Sequence, residues 1–372
     1  MGSSGIEALT RPTTLGGGKV EYDLGIGQPD SDPPPTVVKA LAEAVPRGYF
    51  RYTSPMGVPE LREALAGFLN DLYGSDVRPE EVFVAPGAKG ALFAAQAVLS
   101  ESKRKLVLMD PSYYSYSRVG EFLGMDVIWV PMRLEGDRYR PDLEALEKAL
   151  DAESLLIINF PHNPTGSVPG RRIMDEIFDL VLDAGAKVLS DEAYEMFVYE
   201  GEHRGILSRD DWRRLGGYVG TLSKTLSVTG LRLGYAVLPE DLVRKMGGIG
   251  ASIWGCPSAP SQFAALVSLG IAAEYGRALA RRYDRRRRLA LSILRKSDHL
   301  RVPVPEGALF LYPRLDVDSS RLSETLRERG LKVIPSEIFS PADRRSLRIS
   351  FCVREKVLHD GLFLLLDTLD HL

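Results

Sequence analysis

Lys224 is the residue around which a chemistry can be built. It lies in YVGTLSKTLSVTGLRLGYAVL, where an apolar run ends in a hydroxyl-rich turn and Thr221, Ser223 and Thr225 surround the lysine. A lysine held between two apolar strands is partly stripped of water. That disfavours the ammonium and leaves a nucleophilic amine suited to a Schiff base with a carbonyl compound. An ordinary surface-loop lysine has the same local sequence, so its neighbours decide. Arg232 follows eight residues later, after Gly230, placed to return to the same spot as a bidentate phosphate clamp. Upstream, VFVAPGAKGALFAAQAVL reads as a strand, a Gly-Ala-Lys-Gly turn and a helix. Gly87 and Gly90 let the backbone approach an anion, and the helix start presents free N–H groups to it. The turn lacks the GxxxxGK[ST] pattern of a nucleotide P-loop.

Two further run ends carry polar residues. After AKVLS comes DEAY, where Asp191 is placed to hold a pyridinium proton and Tyr194 to reach a phenolic oxygen. After SLLIINF comes PHNPTG, a sharp turn that fixes the Asn163 amide. Taken singly, each has an ordinary alternative, a helix cap for the aspartate and a plain turn for NPTG. In LRISF, Leu347, Ile349 and Phe351 take one face of a strand and Arg348 and Ser350 the other.

The elements that must position these residues alternate along the chain. Short apolar runs, VFVA (82–85), KLVLM (105–109), DVIWV (126–130), SLLIINF (154–160), AKVLS (186–190), YVGTLS (218–223) and GYAVL (234–238), are separated by helical stretches. Such a pattern predicts an α/β fold with a mostly parallel seven-strand sheet covered by helices on both faces. In open sheets of this kind ligands bind beyond the carboxyl ends of the strands, which is where the polar motifs fall. A Pro-rich loop through Pro33, Pro34 and Pro35 leads into a helix, and a second helix starts near Glu60 with Leu61, Ala64, Leu65, Phe68, Leu69 and Leu72 on one face and Gly74 as its C-cap. From about Ser261 a long helix runs through RRYDRRRR (281–288). Successive side chains on a helix point about 100° apart, so this basic run predicts a solvated surface instead of a nucleic-acid contact. The runs GALFLYP (307–313), LKVIP (331–335) and LRISFCV (347–353), with helices at about 319–329 and 354–371, predict a smaller α+β domain against which the N-terminal segment packs. The expected division is a large domain of residues 36–280 and a small domain of 1–35 with 281–372.

Bulk properties exclude several classes. The formal charge of −3, from 47 Lys plus Arg against 50 Asp plus Glu, gives no overall pull toward nucleic acid or an anionic membrane. Only Cys256 and Cys352 occur, which implies no disulfide framework and no zinc site and fits a reducing compartment. The N-terminal MGSSGIEALTRPTTLGGGK lacks the apolar region of a signal peptide, and runs such as Leu155 to Phe160 are too short to span a bilayer. A soluble cytoplasmic protein is expected, without metal.

Taken in order, GAK, NPTG, DEAY, SKT and Arg232 at successive strand ends resemble the fold-type I pyridoxal-phosphate (PLP) enzymes, specifically the aspartate aminotransferase-like class I/II aminotransferases. The resemblance runs from about Gly25 to the C-terminus. It implies PLP as cofactor, with Lys224 bonding its aldehyde and later shuttling a proton. It pairs Asp191 with the pyridine nitrogen, and sets Tyr194 and Asn163 on the ring hydroxyl oxygen. It assigns the phosphate to Ala88, Lys89, Thr221 and Arg232. Tyr113, in DPSYYSY, stacks on the ring where many relatives carry Trp. Arg348 grips the substrate carboxylate, with Gly27 lining the same pocket. Tyr52 matches a tyrosine that reaches the neighbouring subunit's phosphate, which makes a homodimer the expected unit. The implied reaction moves an amino group between an amino acid and a 2-oxo acid by a ping-pong course. Specificity stays open: Lys89 either faces a distal carboxylate or is a loop lysine near the phosphate, and Tyr113, Tyr114 and Tyr116 equally suit an aromatic substrate. A PLP-dependent β-lyase, or another PLP reaction on the same scaffold, is the alternative. A regulator carrying an added DNA-binding module is not expected.

Overall fold

The computed structural model describes residues 20–372. Its first strand, β1 (Tyr22–Asp23), reaches across to the C-terminal part of the chain. One sheet then takes β2 (Val82–Ala85), β3 (Lys105–Asp110), β4 (Asp126–Glu135), β5 (Arg138–Pro141), β6 (Ser154–Asn159), β7 (Lys187–Asp191), β8 (Gly216–Thr221) and β9 (Gly234–Val237). Their order is β2-β9-β8-β7-β6-β3-β4-β5. The four pairings from β8 through β7, β6 and β3 to β4 are parallel. Those at the two edges are antiparallel.

Each of the seven expected apolar runs forms a strand of this sheet. The eighth strand, β5, comes from RYRP and extends a hairpin from β4 through Gly136, at φ 62°. Its polar residues give no apolar run to read. Alternate residues of the central strands enter two separate cores: Val107, Leu156, Ile158 and Val188 on one face, and Leu106, Leu108, Leu155, Ile157 and Leu189 on the other. A strand buried on both faces is apolar along most of its length, and β6 and β8 are buried throughout, with polar residues only at their ends. Helix Pro59–Tyr73 ends at Gly74, in left-handed conformation at φ 67°, as its sequence predicts.

Past residue 295 the chain forms β10 (Leu300–Arg301), β11 (Phe310–Leu311), β12 (Arg314–Leu315), β13 (Leu331–Lys332), β14 (Ile334–Pro335) and β15 (Leu347–Ser350), with helices Ser319–Glu328 and Glu355–Asp370. β15 is the centre of the antiparallel sheet β11-β15-β14, and β1 pairs in parallel with β13. A third core gathers here around Leu309, Leu347, Ile349, Leu358 and Leu362.

Helix Ala259–Leu294 joins this third core to the main one. Phe263, Ala264, Leu269 and Ala272 belong to the first core cluster, and Leu279, Tyr283, Leu291 and Leu294 to the third. The boundary expected at 280/281 falls inside this helix, and residues 1–19 of the expected small domain lie outside the described residues. By length and composition the helix is apolar enough to cross a bilayer, unlike the short runs considered from sequence, but half of its most apolar window is buried inside the protein. Its basic run also departs from expectation. Arg285 and Arg288 are exposed, whereas Arg286 and Arg287 are buried. Arg286 makes a bidentate pair with Asp30 at 2.8 and 2.9 Å. Arg287 bonds Asp284, Glu200 and the Pro305 carbonyl. A helix wedged between two cores keeps only part of its circumference in water, so half of this quartet had to find fixed partners.

A buried carboxylate ties the β4–β5 hairpin to the loop before β11. Glu306 accepts from Arg138 at 2.6 Å, from Arg140 at 2.5 and 2.7 Å, and from the Val168 amide at 3.2 Å. Removing one member of such a group strands the others without counter-charge. Glu306→Ala is therefore expected to lower stability by about 3 kcal/mol, read as a drop in the urea midpoint. Glu306→Gln, which keeps the acceptor oxygen, should cost less.

Candidate active site

The carboxyl ends of β6, β7 and β8 open into one cleft of about 290 Å³. Lys224 reaches it from the single helical turn Leu222–Thr225, which follows β8 directly. Thr221 caps that turn: its hydroxyl accepts from the Ser223 amide at 3.1 Å and donates to the Leu233 carbonyl at 2.9 Å. The same hydroxyl thereby ties the lysine turn to the Arg232 loop. Lys224 Nζ donates to the Gly27 carbonyl at 2.6 Å. Burial brings its pKa down to about 8, and the positive charges of Arg348, Arg232 and Lys89 act in the same direction. A substantial share of the amine is neutral near physiological pH. This is the state a Schiff base requires.

Asp191 is the last residue of β7 and is buried. Tyr116 donates to its Oδ2 at 2.7 Å, and the Ala193 amide to its Oδ1 at 3.1 Å. Burial pushes its pKa up to about 6, against the pull of those two hydrogen bonds. Asn159, the last residue of β6, locks the neighbouring loop. Its Nδ2 donates to the Asp191 carbonyl at 2.8 Å and its Oδ1 accepts from the Asn163 amide at 2.9 Å. Asn163 Oδ1 in turn accepts from Arg348 Nη1 at 3.1 Å.

Arg348, on β15, is buried and not a surface residue. Its Nη2 donates to the Gly25 carbonyl at 2.7 Å, and the guanidinium lies 4.4 and 4.8 Å from the ring centres of Phe310 and Phe339. Its Nε has no hydrogen-bond partner among the described residues. A guanidinium so held, with donors to spare at the cleft wall, suits a carboxylate. Gly27 passes so close to Phe310 that a Cβ there would lie 2.4 Å from the ring.

On the opposite side, helix Gly87–Ser100 begins at the cleft with no side-chain cap on its first N–H groups among the described residues. Gly87 has φ +78°, and a Cβ on it would fall 2.2 Å from Arg232 Nη2. The guanidinium therefore rests directly on the helix start, combining fixed positive charge with oriented amides, a ready anion site. Ala88 and Lys89 line the cleft beside it. Lys89 Nζ donates to the Tyr114 hydroxyl at 3.1 Å and lies over the Tyr113 and Tyr114 rings. Burial raises the Tyr113 phenol to about 12 and pushes Tyr194 up as well, so both stay neutral hydrogen-bonding groups.

Eleven of the twelve residues singled out from sequence thus line one cleft: Gly27, Ala88, Lys89, Tyr113, Asn163, Asp191, Tyr194, Thr221, Lys224, Arg232 and Arg348. Tyr52 does not. It stands 93% exposed on another part of the surface. Sequence reasoning did not single out Asn159, Phe310, Lys332 or Ile334, which also line the cleft. Asn159 had a signal, a polar residue ending an otherwise unbroken apolar run. Tyr116 was one of three tyrosines suited to an aromatic substrate, yet its hydroxyl is committed to Asp191.

A buried amine of lowered pKa, a buried carboxylate and a helix-borne anion cradle fit an aldehyde on a nitrogen heterocycle that carries a phosphate. The fold and the cleft together define a PLP enzyme of fold type I. The chain belongs to the class I and II aminotransferases, whose family model matches residues 20–362. It is similar to the aspartate aminotransferase of Sulfolobus acidocaldarius, at 34% identity over 91% of this chain and 88% of that protein. It is also similar to aromatic-amino-acid aminotransferase 2 of Thermococcus litoralis, at 30% identity over 91% and 89%. Among solved structures, the aspartate aminotransferase of Thermus thermophilus with maleate superimposes with a TM-score of 0.87 at 30% identity, over 93% of this chain and 91% of that one. The protein is an enzyme, a PLP-dependent transaminase.

The raised pKa of Asp191 has a measurable consequence in cofactor-free protein. Below about pH 4 the carboxyl is protonated folded and unfolded alike and contributes nothing; above about pH 6 the folded state carries a buried anion. The difference costs about 3 kcal/mol. Cofactor-free Asp191→Asn is expected to be more stable than the parent at pH 7–8, with the gap closing toward pH 4, measured by urea denaturation across that range.

Proposed function

We propose that this transaminase takes dicarboxylic and aromatic amino acids, and that the eleven cleft residues hold cofactor and substrate in the roles their chemistry suits. The observation that carries this reading is the convergence of Asp191 from the end of β7, Lys224 from the turn after β8 and Arg348 from β15 on one cleft. Names of relatives, aspartate and aromatic-amino-acid aminotransferases among them, support the substrate class.

Pyridoxal phosphate, when bound, supplies an electron-accepting ring that acidifies the hydrogen on the substrate's α-carbon. Arg232, Thr221 and the amides of Ala88 and Lys89 would hold its phosphate. Asp191 would hold the proton on its ring nitrogen, and Asn163 and Tyr194 its ring hydroxyl. Tyr113 would lie on its face. Arg348, steadied by Asn163 and the Gly25 carbonyl, binds the α-carboxylate and so turns the α-hydrogen toward Lys224. The Lys224 amine, in the neutral form that burial favours, would take that proton from the α-carbon and would be the group that delivers it again as the amino group is transferred. Release of the 2-oxo acid precedes entry of the second oxo acid, which gives ping-pong kinetics.

The active unit is a homodimer in this reading. Val38, Val45, Phe50 and Tyr52, with Ile253 and Val267, leave large apolar side chains in water, a feature of surfaces made for a partner. Tyr52 would reach the cofactor phosphate of the neighbouring subunit. Its two unpaired cysteines suit a cytoplasmic setting.

Borohydride reduction of the holoprotein followed by peptide mapping should place the cofactor on Lys224; an adduct on any other lysine would sink the proposal. Given an amino acid alone, the enzyme should lose the absorbance of the Lys224-bound cofactor and release one equivalent of oxo acid. Arg348→Gln should raise KM for every amino acid on the order of a hundredfold in steady-state assays.

A further inference from the structure

Among the described residues, five cationic side chains line the cleft, Lys89, Lys224, Arg232, Lys332 and Arg348, against a single carboxylate, Asp191. Lys224, Arg232 and Arg348 have the parts described above. Lys89 is occupied by the Tyr114 hydroxyl and two aromatic rings. Lys332 stands differently. It is buried on β13, and its stem packs against Gly25, where a Cβ would lie 3.3 Å from Lys332 Cγ. The Gly25 carbonyl is the acceptor for Arg348 Nη2. Ile334 pairs directly with Arg348 across β14 and β15, and Lys332 lies two residues before Ile334, so all three share one wall of the cleft. Diagonal neighbours on such a face are about 7–8 Å apart, a span that a short diacid can bridge.

The ammonium is only loosely committed. Its counter-charge, Asp23 Oδ2, is 3.5 Å away, and that oxygen has no hydrogen-bond partner among the described residues. Asp23 cannot close the gap freely, because its Oδ1 accepts from the Gly25 and Ile26 amides at 2.9 and 3.3 Å. A buried ammonium with unused donors beside the α-carboxylate site is a place for a second anion.

We propose that Lys332 is a specificity-determining residue, which binds the distal carboxylate of a dicarboxylic amino acid whose α-carboxylate is on Arg348. With a dicarboxylate bound, Lys332 turns from Asp23 to the substrate. With an aromatic substrate it stays on Asp23, and the cleft shows the ring a neutral ion pair instead of a bare charge. One lysine thus serves two substrate classes: paired with Asp23 it shows a ring no bare charge, and drawn to a diacid it leaves Asp23 held through Oδ1 by the Gly25 and Ile26 amides. Lys332 matters in this way only if Arg348 holds an amino-acid substrate as proposed above.

The test uses the holoenzyme, with Lys332→Met, Asp23→Asn and Lys89→Met beside the parent. Half-reactions are followed with aspartate and with tyrosine, and binding is measured for succinate and for butyrate. Lys332→Met should lower the aspartate-to-tyrosine ratio of kcat/KM by about ten- to hundredfold, through KM, and weaken succinate relative to butyrate. Asp23→Asn, which frees the ammonium, should move both ratios the other way; if Lys332→Met does not fold, this shift alone decides. Equal losses for both donors would assign Lys332 a structural role and overturn the proposal. So would unchanged ratios, or a loss of aspartate preference in Lys89→Met with none in Lys332→Met. A parent enzyme inert to every amino acid would defeat the transaminase reading, while the succinate and butyrate affinities would still judge Lys332.

Discussion

Taking charge out of water at the ends of neighbouring strands is the constraint on which this structure turns. Asp191 and Lys224 close β7 and the turn after β8, both buried, and burial shifts each toward its neutral form. A protein tolerates such groups only where fixed dipoles surround them. Here one dipole is local, the Ala193 amide two residues after Asp191, and the other comes from far along the chain, the Gly27 carbonyl for Lys224. The parallel sheet sets the spacing, and the loops supply the polar partners.

A second layer keeps the Asp191 loop from relaxing. Glu192, fully buried, accepts from Ser190 Oγ, the Ile206 amide and Tyr73, and pairs with His203. Glu195 shares the Tyr73 hydroxyl and also accepts from Tyr218; burial and the nearby Glu192 raise it to about 7. Two carboxylates this close are sustained by phenols and an imidazole that contribute protons to the cluster. With the backbone of residues 190–195 fastened from behind, the Asp191 and Tyr194 side chains facing the cleft have little freedom to drift, which is what precise positioning demands.

Much of this was legible beforehand because it depends on local rules. Strands buried on both faces announce themselves as apolar runs, and polar residues immediately after such runs fall at the binding edge of the sheet. That logic reached Lys224, Asp191 and Asn163. It did not reach partners defined by tertiary contact. RYRP becomes a strand only because β4 offers it a hairpin edge. Arg286 and Arg287 are indistinguishable from Arg285 and Arg288 until the helix is wedged between two cores. Lys332 sits in LKVIP with nothing local to mark it, since its place beside Arg348 comes from the pairing of β14 with β15. Tyr116 needed the fold to bring it 75 positions along the chain to Asp191.

Helix Ala259–Leu294 lends one end of its apolar stripe to each of two hydrophobic interiors. The portion of the chain beyond residue 280 therefore cannot be excised as an independently folding piece. Either fragment would keep half a rod with its greasy side bared, and each would be driven to clump or to seek the other. Loss of either interior withdraws support from the rod and so from the other, which couples the stability of the two.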